Sequence, residues 1–161
     1  YQQQNIGMSP KHQSPESRFS RPKSPGYLSY RLARLFSRAL DSRLATYGVP
    51  VGQFRVLLIL WEVEQITQTE IANYLDIEQP TAAATISRMQ RDGLITTSPD
   101  PADGRRLLIQ LTERGHALRG PLTTEAQRVN ELAINGMTNA EAEQAIALLT
   151  RLGDALDREI D

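Results

Sequence analysis

Apolar residues recur every three or four positions along most of this chain, which is the spacing of one face of an α-helix. A long first helix is predicted from Pro25 to about Tyr47, with an apolar side at Leu28, Leu32, Leu35, Phe36, Ala39, Leu40 and Leu44. After Gly48, a second helix is predicted to start at Pro50. It is apolar on nearly all sides, as a central core helix should be, with Phe54, Val56, Leu57, Leu58, Leu60 and Trp61.

Two shorter helices joined by a tight turn are predicted next. Thr67 followed by Glu70 is the pattern of a capping box, so a helix should begin there and end near Asp76. Pro80 suits the first position of another helix, because its φ is already helical and its missing N–H is no loss there. The buried side of that helix is predicted at Ala82, Thr85, Ile86 and Met89. Gly93 is the expected left-handed stop.

Residues 94–97 and 107–111 are β-prone runs separated by Pro99, Pro101 and Gly104, which predicts a hairpin. Helix, turn, helix and hairpin in this order form a winged helix-turn-helix, a module whose usual work is DNA binding. The predicted fold is therefore mainly α with a small β-hairpin wing.

Two more helices are predicted after the hairpin. Thr112 should cap the first, and Gly120-Pro121 should kink it. Asn135-Gly136 should end it. Thr138 and Glu141 form a second capping-box pattern, which opens a last helix with an apolar side at Ala142, Ala145, Ile146, Leu149, Leu152 and Leu156.

The segment DGLITTSPDPADGRRLLIQLTERG, residues 92–115, resembles the wing signature of the MarR family of bacterial transcription regulators. In that signature Asp-x-Arg at the tip precedes Leu-Thr-x-x-Gly, and here the positions are Asp103, Arg105, Leu111, Thr112 and Gly115. The flanking helices agree, so the similarity covers roughly residues 25–157. It implies a homodimeric, sequence-specific DNA-binding regulator, expected to be a repressor that a small organic ligand releases from a near-palindromic operator.

This comparison gives a domain map. We expect a disordered tail at 1–24, of which 1–7 precede Met8 and are interpreted as an expression remnant. A MarR-type domain should occupy 25–157. Within it we expect dimerisation helices at 25–48 and 113–157 and a winged helix-turn-helix at 50–112, with the helix-turn-helix at 67–92 and the wing at 94–111.

The net charge of the chain is −1, so it does not indicate a polyanionic partner by itself. The positions of the charged residues along the chain are more informative. From Arg18 to Arg43 there are seven basic residues and one acid, whereas from Glu113 onward there are five basic and nine acidic residues. Such asymmetry suits a protein that presents one face to a polyanion. The Thr67 to Thr112 stretch is not net basic. Attraction to DNA must therefore come from the positions of individual basic residues and not from the total charge of the stretch.

Several classes of chemistry are not indicated. The chain has no cysteine and only two histidines, which lie far apart in sequence, so neither disulfides nor a metal site are predicted. There is no catalytic motif, and we expect neither an enzyme nor a cofactor. No apolar run reaches membrane-spanning length and no signal peptide is evident, so we expect a cytoplasmic protein, associated with the nucleoid when bound to DNA.

The long terminal helices predict self-association. Their apolar faces exceed what the compact winged helix can cover, and a second copy of the chain is the economical partner. The alternative is that they fold back onto the core of a monomer. Arg31, Arg34 and Arg38 lie on another side of the first helix, where they form either a solvated face or a contact to DNA or to an anionic ligand.

The DNA-contacting residues are expected on the outer side of the second motif helix and at the wing tip. The N-terminal part of that helix enters the major groove in helix-turn-helix proteins. Ala83 and Ala84 stand where the family often has Ser and Arg, which leaves Gln79 and Arg88 as the main polar readers. Arg105 should enter the minor groove, with Asp103 holding its guanidinium. The full candidate set is Thr69, Gln79, Pro80, Thr81, Ala83, Ala84, Ser87, Arg88, Arg91, Asp103, Arg105 and Arg106.

The expected effector site is taken from the resemblance alone. In relatives, pockets lie between the dimer helices and the winged helix, and the matching candidates here are Arg38, Tyr47, Phe54, Trp61 and His116. For any single one of them, an ordinary core or surface role is the favoured interpretation. Arg38 would suit a small aromatic or anionic effector. Two other functions remain open: an architectural DNA-binding protein and a protein-interaction module, both without an effector.

Overall fold

The computed structural model describes residues 20–160. These residues fall into two compact units, which divide between Ser37 and Arg38. Ten helices and strands follow one another within the described residues: α1 Pro25–Leu44, α2 Val51–Leu60, β1 Ile66–Thr67, α3 Gln68–Leu75, α4 Gln79–Arg91, β2 Ile95–Pro99, β3 Leu107–Leu111, α5 Glu113–Ala117, α6 Arg119–Ala133 and α7 Asn139–Ile160. None of these helices is long and apolar enough to cross a membrane.

The N-terminal unit holds a short 3-10 turn and the first part of α1. The predicted disordered tail falls mostly outside the described residues, but Arg21–Lys23 form one 3-10 turn. The Arg21 guanidinium lies 5.9 Å from the centre of the Tyr27 ring, and that of Arg34 lies 5.7 Å from the Tyr30 ring. Cation–π attraction at these distances orders the two arginines.

The first helix is shorter than the sequence predicts. α1 ends at Leu44, and Ala45–Tyr47 continue as a 3-10 turn that Gly48 closes at φ 68°. A 3-10 turn is a common way to tighten the last turn of a helix before a left-handed cap. Leu44 is fully buried, which fixes this corner against the core.

The two motif helices follow the sequence prediction closely. The Thr67 hydroxyl accepts the Glu70 N–H at 3.3 Å, and the Glu70 carboxylate accepts the Thr67 N–H at 2.8 Å, so the capping box is complete. α3 ends at Asp76, which adopts the left-handed conformation at φ 49°. α4 begins at Gln79, one residue before Pro80. Its buried side is the predicted one: Ala82, Thr85, Ile86 and Met89.

A three-stranded antiparallel sheet in the order β1-β3-β2 forms the wing. β2 and β3 pair from Ile95 with Leu111 to Pro99 with Leu107. β1 contributes only Ile66 and Thr67, opposite Ile109 and Leu108. The hairpin was predicted from the sequence, but β1 was not, because a two-residue strand exists only through its pairing with β3.

The helix predicted after the wing is interrupted before Gly120-Pro121, where the sequence predicts only a kink. The predicted single kinked helix is two helices, α5 and α6, which meet at Leu118. Pro121 therefore lies in the first turn of α6, where a missing N–H costs nothing. The second predicted capping box is present at Thr138, whose hydroxyl accepts the Glu141 N–H at 3.3 Å.

The core lies within the second unit. α2 supplies Phe54, Val56, Leu57 and Leu60, as its apolar sequence predicts. These pack with Ile71, Met89, Leu94 and Ile109 from the motif helices and the sheet, and with Leu122 of α6. α7 is different, because Ala142 of its predicted apolar side is buried but the four large residues are exposed: Ile146, Leu149, Leu152 and Leu156.

Candidate nucleic-acid interface

The outer side of α4 is a continuous exposed surface. Because its four buried residues point toward the core, the opposite side faces away from it. Glu78 precedes the helix in an extended conformation and makes no side-chain capping bond. The predicted contact residues on this helix are exposed except for Ala83, which is partly buried: Gln79, Pro80, Thr81, Ala84, Ser87, Arg88 and Arg91. The sequence therefore identified the correct outward side of the helix.

The N-terminal end of α4 is linked to α3 by two glutamines. Gln68 Nε2 donates to Gln79 Oε1 at 3.4 Å. Thr69 is exposed beside Gln68 at the start of α3. Gln68 was not among the predicted site residues, although it directly follows the Thr67 cap. The Gln79 amide keeps its NH₂ group for other partners, since the Gln68 bond uses only the oxygen.

The two arginines of α4 are turned toward their own helix. Arg88 Nε donates to the Ala84 carbonyl at 3.1 Å. Arg91 Nε lies 3.3 Å from Asp92 Oδ1, immediately after the helix. Cations in the last turn are favoured by the partial negative charge of a helix C-terminus. Both side chains are exposed and lie toward the C-terminal end of the helix rather than at its N-terminal tip.

The wing tip differs in detail from the prediction. Asp103 Oδ1 accepts the backbone N–H of Arg105 at 3.1 Å, so it shapes the turn and does not hold the guanidinium. The Asp103 carbonyl accepts the Arg106 N–H at 2.9 Å. Short aspartate side chains commonly bond to backbone two residues on in turns. Among residues 20–160, the Arg105 guanidinium has no hydrogen bond or ion pair.

Arg106 has a different environment from its neighbour. Its guanidinium lies 3.8 Å from Glu70 Oε1 on α3 and 3.8 Å from Asp100 Oδ2 in the wing. It therefore connects the wing to the start of α3. A cleft of about 550 Å³ opens beside this contact, lined by Thr67, Gln68, Thr69, Glu70, Arg105, Arg106 and Leu107.

Glu70 is both a helix cap and an ion-pair partner. The hydrogen bond from the Thr67 hydroxyl is the main reason that the pKa of Glu70 is lowered, followed by the Thr67 N–H bond. The positive charge of Arg106 acts in the same direction, while partial desolvation opposes it. The carboxylate is therefore ionised at neutral pH and keeps the α3 cap and the wing contact together.

The five effector candidates do not share one environment. The Phe54 and Trp61 rings pack edge to face in the core with centroids 6.1 Å apart, and the Trp61 indole N–H donates to the Gly115 carbonyl at 3.1 Å. Tyr47 packs against the same core. Arg38 and His116 are exposed, and His116 borders a cavity of about 250 Å³ with Glu64, Gln65, Gln110 and Leu111. Within residues 20–160, no group of three or more histidines and acids could hold a metal ion.

A second polar contact at α4 was missed by the sequence analysis. Gln53 is buried in α2, and its Nε2 donates to Asp92 Oδ2 at 2.8 Å, directly after α4. A signal was available, because Gln53 is a lone uncharged polar side chain in the otherwise apolar helix VGQFRVLLIL. Asp92 also stands at a helix C-terminus, where an acid is normally disfavoured.

Comparison with known proteins agrees with this architecture. The sequence model of the MarR family matches residues 47–106. The HTH-type transcriptional regulator TtmR of Methylorubrum extorquens is 31% identical over 128 residues, which are 80% of this chain and 63% of TtmR. The HTH-type transcriptional repressor NicR of Pseudomonas putida is 28% identical over 103 residues, 64% of this chain and 65% of NicR. The chain thus spans less than two thirds of the length of these two relatives.

A solved structure gives the same fold. BpsR of Bordetella bronchiseptica, whose DNA binding is regulated by 6-hydroxynicotinic acid, superposes with a TM-score of 0.76 and 24% identity. The match covers 84% of this chain and 97% of BpsR. The two curated relatives are named as transcriptional regulators and not as enzymes, in agreement with the absence of a predicted catalytic site. By its sequence, its helix-turn-helix and its wing, the chain belongs to the MarR family of transcriptional regulators.

Proposed function

We propose that this protein is a homodimeric, sequence-specific DNA-binding regulator, and that it acts as a repressor which a small organic ligand releases from its operator. The observation that carries the proposal is the exposed outer side of α4 beside a wing whose Arg105 guanidinium is unpaired within the described residues. A helix of this kind fits the major groove, and a free arginine on a flexible stem suits the minor groove.

The arrangement of charge supports DNA binding by a few placed contacts. The Thr67 to Thr112 stretch contains four basic and six acidic residues. Glu70 and Asp100 lie near Arg106, and Asp92 lies near Arg91, so three of the six acids are engaged in ion pairs within the protein. Arg105 remains available for phosphate or a groove edge. Affinity should therefore depend on a small number of arginines rather than on overall charge.

The exposed side of α7 supports the dimer. Ile146, Leu149 and Leu152 are 62%, 47% and 44% exposed, and they recur at the spacing of one helix face. Contiguous apolar surface of this kind is rare on a monomer and typical of an interface. A two-fold dimer would cover it and would place two copies of α4 in a symmetric pair. On α1, Leu28, Leu32 and Leu35 are exposed as well.

The repressor and effector parts of the proposal are supported by the relatives. NicR is named as a repressor, and BpsR is regulated in its DNA binding by a hydroxylated pyridine carboxylic acid. We extend both properties to this chain as expectations. The effector class proposed is a small aromatic acid, and Arg38 is the exposed cation among the candidates that would pair with its carboxylate.

A titration of labelled duplex DNA with the purified protein tests the proposal. Binding should weaken as salt rises and should favour one sequence over random DNA by several kcal/mol (about 4–10). Adding aromatic acids should release the preferred duplex. Salt-dependent binding without sequence preference would indicate an architectural protein instead, and an absence of DNA binding at low salt would indicate an interaction module.

A further inference from the structure

The C-terminal end of the recognition helix α4 is fixed by polar contacts from two other elements. From α2, Gln53 Nε2 donates to Asp92 Oδ2 at 2.8 Å. From α5, Arg114 Nη1 donates to the Asp92 carbonyl at 2.7 Å. The Thr112 hydroxyl donates to the Gly93 carbonyl at 2.7 Å. These contacts meet at the residues directly following α4, and none of them lies on its exposed outer side.

The glutamine in this junction is an unusual choice for its position. Gln53 is 3% exposed and lies between apolar neighbours of the core helix. Because a carboxylate only accepts hydrogen bonds, the NH₂ group must face Asp92 and the oxygen must face the interior. That oxygen, Oε1, is buried and lacks a hydrogen-bond partner among the described residues. A buried unsatisfied acceptor destabilises the fold, so Gln53 is a poor choice if stability were its only role.

Asp92 is unusual for a related reason. It follows the last turn of α4, where the helix carries partial negative charge and an acid is disfavoured. The Gln53 hydrogen bond is the main cause of a lowered pKa at Asp92, and Arg91 and Arg114 contribute in the same direction. The side chain is therefore charged at neutral pH and bonded to α2 in a place where a neutral residue would suit the helix better.

The same junction continues toward the core through α5. Gly115 N–H donates to the Thr112 hydroxyl at 3.1 Å, and its carbonyl accepts the Trp61 indole N–H at 3.1 Å. Trp61 directly follows α2. Polar contacts thus connect α2 to the end of α4, the end of α4 to α5, and α5 back to α2. Gln53 and Trp61 make the two contacts from α2, one near each end of that helix.

We propose that Gln53 and Asp92 are positioning residues for DNA recognition: their hydrogen bond fixes the C-terminal end of α4 on α2, so that the exposed side of α4 is held at one angle to the DNA. This inference rests on the proposed DNA-binding function and adds residues to it that do not touch DNA. A helix held in advance loses less freedom on binding, so the bond favours the complex even though it brings a buried unpaired oxygen into the core.

The variant Gln53→Met separates positioning from stability. Methionine fills a similar volume, removes the buried unpaired oxygen and breaks the bond to Asp92. We expect thermal stability equal to or above that of the wild type, and operator affinity about two- to thirtyfold lower. The slope of log affinity against log salt should be unchanged, because no phosphate contact is removed. The control Gln65→Met removes an exposed glutamine bonded to Gln110 at 3.2 Å and should bind operator like the wild type.

A pair of variants at Asp92 provides the rescue test. Asp92→Asn keeps an oxygen that accepts from Gln53 Nε2, so operator affinity should stay close to that of the wild type. Asp92→Ala keeps the backbone contact to Arg114 but loses the link to α2, so it should bind operator as weakly as Gln53→Met. The Gln53→Met and Asp92→Ala effects should not add, because both remove one bond.

Two results would overturn the inference while leaving the proposed function intact. The first is operator binding by Gln53→Met that equals that of the wild type. The second is a loss of affinity by Gln53→Met that is accompanied by an equal loss of stability, which would make Gln53 a structural residue only. If the wild-type protein itself binds no duplex DNA, the proposed function is wrong, and the inference that rests on it is wrong as well.

Discussion

The guanidinium of Arg106 in the wing lies 3.8 Å from the Glu70 carboxylate at the start of α3, whereas its neighbour Arg105 has no ion-pair partner within the described residues. Two adjacent arginines at one hairpin tip thus have different surroundings. Arg106 joins the wing to the helix-turn-helix through an acid that already caps α3. Arg105 is therefore the arginine that we propose for the contact with DNA.

This difference predicts separate behaviour in a salt series. Arg105→Ala should weaken binding to all duplexes and reduce the slope of log affinity against log salt by about 0.9 per subunit, the loss of one phosphate contact. Arg106→Ala is the matched control, and it should change the slope less because its charge is offset by Glu70 and Asp100. Fluorescence anisotropy across several salt concentrations measures both. If Arg105→Ala binds with wild-type affinity at every salt concentration, the wing is not part of the DNA interface.

The exposed side of α7 predicts that association depends on this helix. Leu152→Glu would place a charge in the proposed interface, where burying it unpaired is strongly unfavourable, so the dimer should dissociate. Leu107→Glu is the matched control, since Leu107 is also an exposed leucine but lies on the wing strand β3. Sedimentation velocity distinguishes the outcomes. A wild-type monomer, or an intact Leu152→Glu dimer, would mean that α7 does not form the interface.

Gly115 is predicted to be indispensable for packing. A Cβ atom at this position would lie 2.3 Å from the Leu94 carbonyl oxygen and 2.9 Å from Leu111 Cδ2. Because the nearer atom is backbone, Gly115→Ala should destabilise the fold by about 1–3 kcal/mol through overpacking. Gly52→Ala, where no atom lies within 4 Å of the new Cβ, should change stability by less than about 1 kcal/mol. Urea unfolding compares the two, and equal stability of both variants would show that the α5 approach is not as tight as described.

Glu70 predicts how stability changes with pH. Its pKa is lowered in the folded protein, mainly by the Thr67 hydroxyl, so the unfolded chain takes up the proton at a higher pH than the folded one. The stability contributed by this carboxylate is complete above its unfolded pKa and is lost as pH falls through its folded pKa. Glu70→Gln should therefore make unfolding less dependent on pH in the acid range. Urea unfolding at stepwise lower pH measures it, with Glu78→Gln, which lacks a capping bond, as the control. Parallel acid curves for wild type and Glu70→Gln would refute this assignment.

The local parts of the fold were accessible from the sequence. Both capping boxes, the left-handed Gly93 and the buried side of α4 depend on residues close together in the chain, and all were predicted. The contacts that depend on distant segments were not. β1 exists through its pairing with β3, and Arg106 lies against Glu70 because the wing folds back onto α3.

The candidate site shows the same limit. The outward side of α4 follows from helical periodicity, so the exposure of its residues could be predicted. The role of Asp103 was misplaced, since only the turn geometry reveals that its carboxylate meets the Arg105 backbone. Gln53 and Asp92 are 39 residues apart, and periodicity alone has no means of joining them.

The most direct test of the account is selection of DNA sequences by the purified protein from a random library, repeated with Gln79→Ala. We predict that the wild type enriches a near-palindrome with half-sites about 10 base pairs apart, centre to centre. Gln79→Ala should relax one position in each half-site, at a cost of about 1–3 kcal/mol there, and its effect should add to that of Arg105→Ala. Enrichment of no sequence, or of one isolated half-site, would contradict the proposal that two copies of α4 read an operator.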